Sequence, residues 1–173
     1  MTHEPVLVTG AAGFIGSHLC EALLRAGTPV WGVDNLDTYY PRANKLAHVD
    51  AVRSTARQRG VPFLFLEKDI LDLRPGDLPG APHAVFHLAA RAGVRASLQD
   101  PLGYHRVNAG GTAHVLELCR AWHTGAFINA SSSSVYGEGT PPPFREDAPA
   151  DRPLSPYAAS KRAAELYVTA WCH

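Results

Sequence analysis

Tyr157 and Lys161 stand four residues apart, so a helix through them sets a phenol and an ammonium on one face. A positive charge about 5 Å from a phenol favours the phenolate by roughly 3 kcal/mol at an effective dielectric of about 20, enough for it to accept a hydroxyl proton. Such a pair also arises on ordinary solvated helices, so its neighbours decide its meaning. Ser131 to Ser134 follow an apolar run that starts at Ala126, where one hydroxyl could hold the oxygen whose proton Tyr157 takes. The other three are expected to cap or turn the chain.

A second group of residues lies near the amino terminus. Gly10, Gly13 and Gly16 directly follow the apolar run Val6 to Thr9 and open a helical pattern. Gly10 would make the tight turn, Gly13 let backbone approach a pyrophosphate, and Gly16 bring helix and strand close. The free N–H groups of that helix start, with Phe14 and Ile15 in its first turn, favour phosphate. Asp34 ends the next strand 18 positions after Gly16, where its carboxylate can accept from both ribose hydroxyls and repel a ribose phosphate, favouring NAD over NADP. A turn cap is the plainer role for Asp34, and equally for Asp69 beside Ile70, which otherwise bound the adenine pocket.

Positioning these groups requires alternating strands and helices. Strands are predicted at Val6 to Thr9, Val30 to Asp34, Phe63 to Glu67, Ala84 to Ala89 and Ala126 to Ser131, the first fully buried and the third buried. Helices are predicted from the glycine loop to Gly27, with Ile15, Leu19, Leu23 and Ala26 facing the sheet, and from Arg42 to Gln58. A continuous helix should run from the Asp100 cap to about His123, and another from about Leu154 onward. Leu71 to Pro82 holds three prolines and two glycines and should be a loop with a turn. Six prolines make the stretch from Gly137 to Pro156 a long loop. The pattern predicts an α/β fold, a doubly wound parallel sheet (Rossmann fold) of order 3-2-1-4-5, with ligands at the carboxyl ends of the strands.

Lys plus Arg and Asp plus Glu each number 16 among 173 residues, which argues against nucleic acid or a charged membrane as partner. Three cysteines, Cys20, Cys119 and Cys172, form no CxxC pair, and a reduced cytoplasmic setting with no metal site fits them. No signal peptide or spanning segment is read. His87 is expected to be a core histidine with a satisfied partner, and Trp122 and Trp171 to be packing residues.

With Thr9 to Gly16, His87 to Ala90, Ser131 to Gly137 and Tyr157 to Lys161 in this order, the chain resembles the extended short-chain dehydrogenase/reductase superfamily, in its nucleotide-sugar epimerase and dehydratase branch. The resemblance implies that Ser132, three positions before Val135, completes a catalytic set with Tyr157 and Lys161. It implies an expected cofactor-binding set of Gly10, Gly13, Phe14, Ile15, Gly16, Asp34, Asn35, Asp69, Ile70, Leu88, Ala89, Ala90, Asn108, Tyr157 and Lys161. Dehydratases of the branch carry Asp-Glu after their catalytic Thr, where this chain has Ser133 and Ser134, which points to epimerisation. Asp34 to Tyr40 and Arg91 to Ser97 are most similar to the UDP-glucuronate 4-epimerases, which typically carry Gln at the position of Arg91. The expectation is then NAD oxidising and re-reducing a UDP-sugar through a 4-keto sugar, in a homodimer built on the helices at Pro101 to Trp122 and from Leu154 onward. A dehydratase or reductase of the same fold, or a silent NAD-binding module, remains open as an alternative. Residues 1–173 are read as one NAD-binding domain, and the family's carboxyl-terminal substrate lobe is expected to be missing from this sequence.

Overall fold

The computed structural model describes residues 4–172. Its elements are β1 (Val6–Thr9), α1 (Phe14–Arg25), β2 (Val30–Asp34), α2 (Arg42–Arg59), β3 (Phe63–Glu67), β4 (Ala84–His87), α3 (Val94–Ser97), α4 (Pro101–Tyr104), α5 (Gly111–Trp122), β5 (Ala126–Asn129) and α6 (Pro156–Trp171). By contacts the chain divides into two compact units: Met1–Ala89 with Glu117–Ile128, and Ala90–Leu116 with Asn129–His173.

In the first unit the strands form a five-stranded sheet of order β3-β2-β1-β4-β5, the predicted one. β1 runs parallel to both neighbours, with Val6 opposite Val30 on one side and Ala84 on the other. All four β1 residues are buried, as a strand covered on both faces and paired on both edges must be. β3 was expected to be equally buried and is not. It pairs with β2 alone at the rim of the sheet, and Leu64 keeps 37% of its surface exposed. β4 and β5 each end two residues before the expected limit, at His87 and Asn129.

Helix α1 faces the sheet with a stripe one step round from the predicted one. Gly16, Ser17, Cys20 and Leu24 are buried, Leu19 and Leu23 are half-buried, and Ile15 and Ala26 are exposed. The close approach at Gly16 sets this rotation, because a Cβ there would overlap the carbonyl oxygen of Gly10. Leu24 then packs with Val8, Val30 and Val52. The 71–82 crossover is a loop with short turns, as predicted, and the Trp122 indole N–H donates to the Pro75 carbonyl at 3.2 Å.

The second unit departs more from expectation. The predicted continuous helix from Asp100 to His123 is broken into α4, a wide π-helical segment at His105–Gly110, and α5. Gly103, Gly110 and Gly111 weaken the regular helix there. The Thr112 hydroxyl bonds the Asn108 carbonyl at 2.6 Å across the distortion. The short helix α3 was not foreseen. α6 starts at Pro156 rather than Leu154, because the Ser155 hydroxyl caps it by accepting from the Ala158 N–H at 3.1 Å. Among the described residues no helix is long and apolar enough to cross a membrane, and no three His, Cys, Asp or Glu side chains gather to hold a metal.

Candidate functional site

In the first unit the glycine loop turns through Gly10 at φ +70°, where a Cβ would lie 2.8 Å from the Ala89 nitrogen. Gly13 caps α1 and offers no side chain to the first turn, and that turn holds no acidic residue. The helix start therefore presents its N–H groups and partial positive charge without a built-in anion, which suits a diphosphate. Phe14 and Ile15 remain 73% and 65% exposed.

Asp34 is nearly buried at the end of β2. Its Oδ2 accepts from the Ala12 N–H at 3.1 Å, and its Oδ1 from the Leu36 N–H at 2.8 Å. The turn-cap role and an orienting contact to the glycine loop thus coexist in one carboxylate. Lys45, from α2, adds an ion pair at 3.0 Å to Oδ1. Sequence reasoning missed Lys45, which lies on a helix read only as polar and whose spacing to Asp34 follows no local rule. Asn35 donates to Asp69 at 3.0 Å, and Asp69 caps its own turn by accepting from the Leu71 N–H at 2.9 Å. Ile70 beside it is buried.

Thr9 is a further residue whose role was not foreseen. Its hydroxyl oxygen accepts from the Leu88 and Ala89 N–H groups, each at 3.2 Å, and lies 2.8 Å from His87 Nδ1. The contact between the hydroxyl and Nδ1 holds the His87 ring at the end of β4. His87 is the expected core histidine with a partner, and Thr9 fixes the path of the segment that follows β4.

The second unit holds Ala90, Asn108, Ser132, Tyr157 and Lys161. The Tyr157 and Lys161 pair sits in the first turns of α6, as the spacing predicts. Lys161 is 6% exposed, and its ammonium donates to the Ala130 carbonyl at 2.6 Å. Burial pushes that ammonium below the usual lysine range, and the carboxylate of Glu165 draws it partly back. Glu165 also accepts from the Ser131 hydroxyl at 2.5 Å and pairs with Arg162 at 2.8 Å. Its place four residues after Lys161 was the available sequence signal.

Ser132 caps the short turn Ser133–Tyr136, its oxygen accepting from the Ser134 N–H at 3.2 Å, so its proton remains to be donated. Tyr157 meets the ring of Tyr104 edge-on at 6.2 Å between centroids. Asn108 is 1% exposed within the π-helical segment. Its amide accepts from the Arg91 N–H at 2.7 Å and donates to the Arg91 carbonyl and the Ser160 hydroxyl, each at 3.0 Å. Ser160 in turn donates to the Tyr157 carbonyl at 2.8 Å. Both Asn108 donors are thus spent on protein, and the residue ties the Arg91 segment to α6.

The chain is 42% identical over 170 residues to a UDP-glucuronate 4-epimerase of Thermodesulfobacterium geofontis, covering 96% of this chain and 51% of that protein. UDP-glucuronate 4-epimerase 1 of Arabidopsis thaliana is 41% identical, over 97% of this chain and 39% of its own length. Among solved structures, the UDP-glucuronic acid 4-epimerase of Bacillus cereus in complex with UDP-glucuronic acid and NAD superposes with a TM-score of 0.86 at 37% identity, over 96% of this chain and 52% of that one. This chain therefore spans about half the length of such relatives or less. The family model of the NAD-dependent epimerases and dehydratases matches residues 6–173. A match of that extent, on the glycine loop and the Tyr157 helix alike, makes this chain a member of the NAD-dependent epimerase/dehydratase family.

Proposed function

We propose that this chain is the cofactor-binding and catalytic part of a cytoplasmic nucleotide-sugar 4-epimerase that acts on UDP-glucuronate or a related UDP-hexose through a transient 4-keto sugar. The observation that carries the reading is the buried Lys161 ammonium, held at Ala130 one helical turn beyond the Tyr157 phenol. Gly10, Gly13 and Gly16, with the open start of α1, fit the diphosphate of NAD, and Asp34 fits its adenosine ribose. Phe14, Ile15, Asn35, Asp69, Ile70, Leu88, Ala89 and Ala90 complete the proposed cofactor set, in which Asn108 acts by shaping the backbone around it. When bound, NAD accepts a hydride from the sugar carbon and gives it back to the other face. Tyr157 takes the proton of the reacting hydroxyl and later returns one, Ser132 donates a hydrogen bond to that oxygen, and Lys161 stabilises the phenolate.

The active form is proposed to be a homodimer through the helices at Pro101 to Trp122 and from Leu154 onward. The exposed apolar side chains of Leu102, at 80%, and Leu166, at 55%, support that surface. Calorimetric titration with NAD, followed by UDP-glucuronate and product analysis, tests the reading on the chain as it stands and on a version carrying any further carboxyl-terminal sequence. NAD binding with formation of the 4-epimer supports it. NADH accumulating as the sugar is oxidised replaces the epimerase with a net dehydrogenase/reductase, and loss of water from the sugar replaces it with a dehydratase.

A further inference from the structure

Two residues lead up to Ser132, and α6 holds both of them. The Ala130 carbonyl accepts from the Lys161 ammonium at 2.6 Å, and the Ser131 hydroxyl donates to Glu165 Oε1 at 2.5 Å. Lys161 and Glu165 stand four residues apart on α6, so they rise from the same face and grip consecutive residues. The carboxylate is itself held: Oε2 accepts from Arg162 at 2.8 Å, and the Glu165 side chain keeps only 25% of its surface exposed. Ser131 is exposed, so packing does little to fix its side chain and the bond to Glu165 sets it. Beyond Ser131, the Ser132 oxygen accepts from the Ser134 N–H at 3.2 Å. Ser132 is thus bracketed by one bond that α6 supplies to its neighbour and one that its own turn supplies.

A hydroxyl that must meet a developing negative charge works only from a narrow set of positions, and a shift of about 1 Å can cost about a hundredfold in rate. Ser132 caps the short turn Ser133–Tyr136, so its place depends on how the chain enters that turn. We infer that Glu165 is a positioning residue of the reaction, acting through Ser131 to keep the Ser132 hydroxyl in register with Tyr157 and Lys161. The inference rests on the epimerase reading above and deepens it. The same carboxylate draws the buried Lys161 ammonium back toward its ordinary range, so a single side chain serves two members of the proposed catalytic set.

The plainer role for Glu165 is its ion pair with Arg162, three residues before it, which at a helix surface contributes little. Steady-state rates with UDP-glucuronate separate the two roles, measured in whichever form of the protein turns the sugar over. The variants are S131A, E165A, E165Q, R162A and the S131A/E165A double variant, with NAD calorimetry and thermal unfolding on each. E165A should lower kcat about tenfold, with KM and NAD affinity within about threefold. E165Q keeps an oxygen that accepts from Ser131 and should recover to within about threefold of the unaltered protein. S131A should match E165A, and the double variant should be no slower than either alone, since the two residues act through one bond. R162A should stay within about twofold. A loss below about threefold in E165A overturns the inference, as does E165Q as slow as E165A, a double variant in which the two losses multiply, or R162A as slow as E165A. If E165A does not fold, S131A removes the same bond from its other end, and an unchanged kcat there overturns the inference. All of these results leave the epimerase reading standing. If the unaltered protein forms no 4-epimer, that reading falls and this inference with it.

Discussion

The two units hold their chemistry in place by different means. In the first, the critical positions are set by backbone sterics: Gly10 turns through a left-handed conformation against Ala89, and Gly16 leaves no room for a side chain above Gly10. In the second, Tyr157 and Lys161 are set by side-chain hydrogen bonds, through Ser160 and Asn108 to the Arg91 segment and through the ammonium to Ala130. A steric cradle fails when anything is added to it. A hydrogen-bonded scaffold fails when something is taken away and its partners are left buried without bonds.

Substitutions can break that contrast. The largest expected effect is on turnover: Y157F should lower kcat for epimerisation by about a thousandfold while NAD affinity stays within about threefold, since a general base contributes on that order and the cradle is untouched. Steady-state rates with calorimetry on the same protein check this. G16A should weaken NAD at least about a hundredfold and cost about 2 to 3 kcal/mol of stability in urea unfolding, because the added methyl meets backbone that cannot move aside. N108A should cost about 1 to 3 kcal/mol by removing the side chain that bonds both backbone groups of Arg91 and the Ser160 hydroxyl. Its loss of kcat should exceed its loss of NAD affinity, the reverse of G16A.

The smallest effect concerns alkali, where the units should respond in opposite directions. Burial pushes the Cys20 thiol up to about 12 and the Cys119 thiol up to about 11, from an ordinary value of 9.0. The unfolded chain therefore loses those protons first, and stability from this source falls as pH rises above 9. Lys161 is shifted the other way, below 10.5, so the folded chain sheds its proton first and stability from this source rises as pH climbs toward 10.5. Between pH 8.5 and 10.5, melting of C20A should therefore decline less steeply than that of the unaltered chain, and melting of K161M more steeply. Equal slopes in all three would show that these groups do not govern the alkaline limb.

The same contrast explains how much was legible in the sequence. The strand order, the glycine turn, Asp34 at its strand end and the Tyr157 and Lys161 pair depend on short-range pattern, and they were readable. The buried face of α1 was misjudged because hydrophobicity favoured Ile15 while the close contact at Gly16 set the rotation. The bonds of Asn108, in the segment His105–Gly110, to Arg91 and Ser160 join residues far apart in sequence, and no local pattern announces them. The ion pair of Lys45 with Asp34 was missed because it joins α2 to the end of β2 at a spacing that follows no local rule. The predicted order already placed β3 at the rim, but its burial was read from the apolar run Phe63 to Glu67 alone, so the exposure of Leu64 was missed.

The central place of β1 has a consequence for how the chain is made. Of the five strands of this sheet, the earliest to be synthesised is the one that must be flanked on both sides, by Val30 and its neighbours early and by Ala84 and its neighbours much later. At about 5 to 20 residues per second, the gap between those two flanks is several seconds, during which one edge of a strand that ends up fully buried stands open. That interval, rather than the finished fold, is when this sequence is most exposed to mispairing, and slowing synthesis between Asp34 and Ala84 would lengthen it.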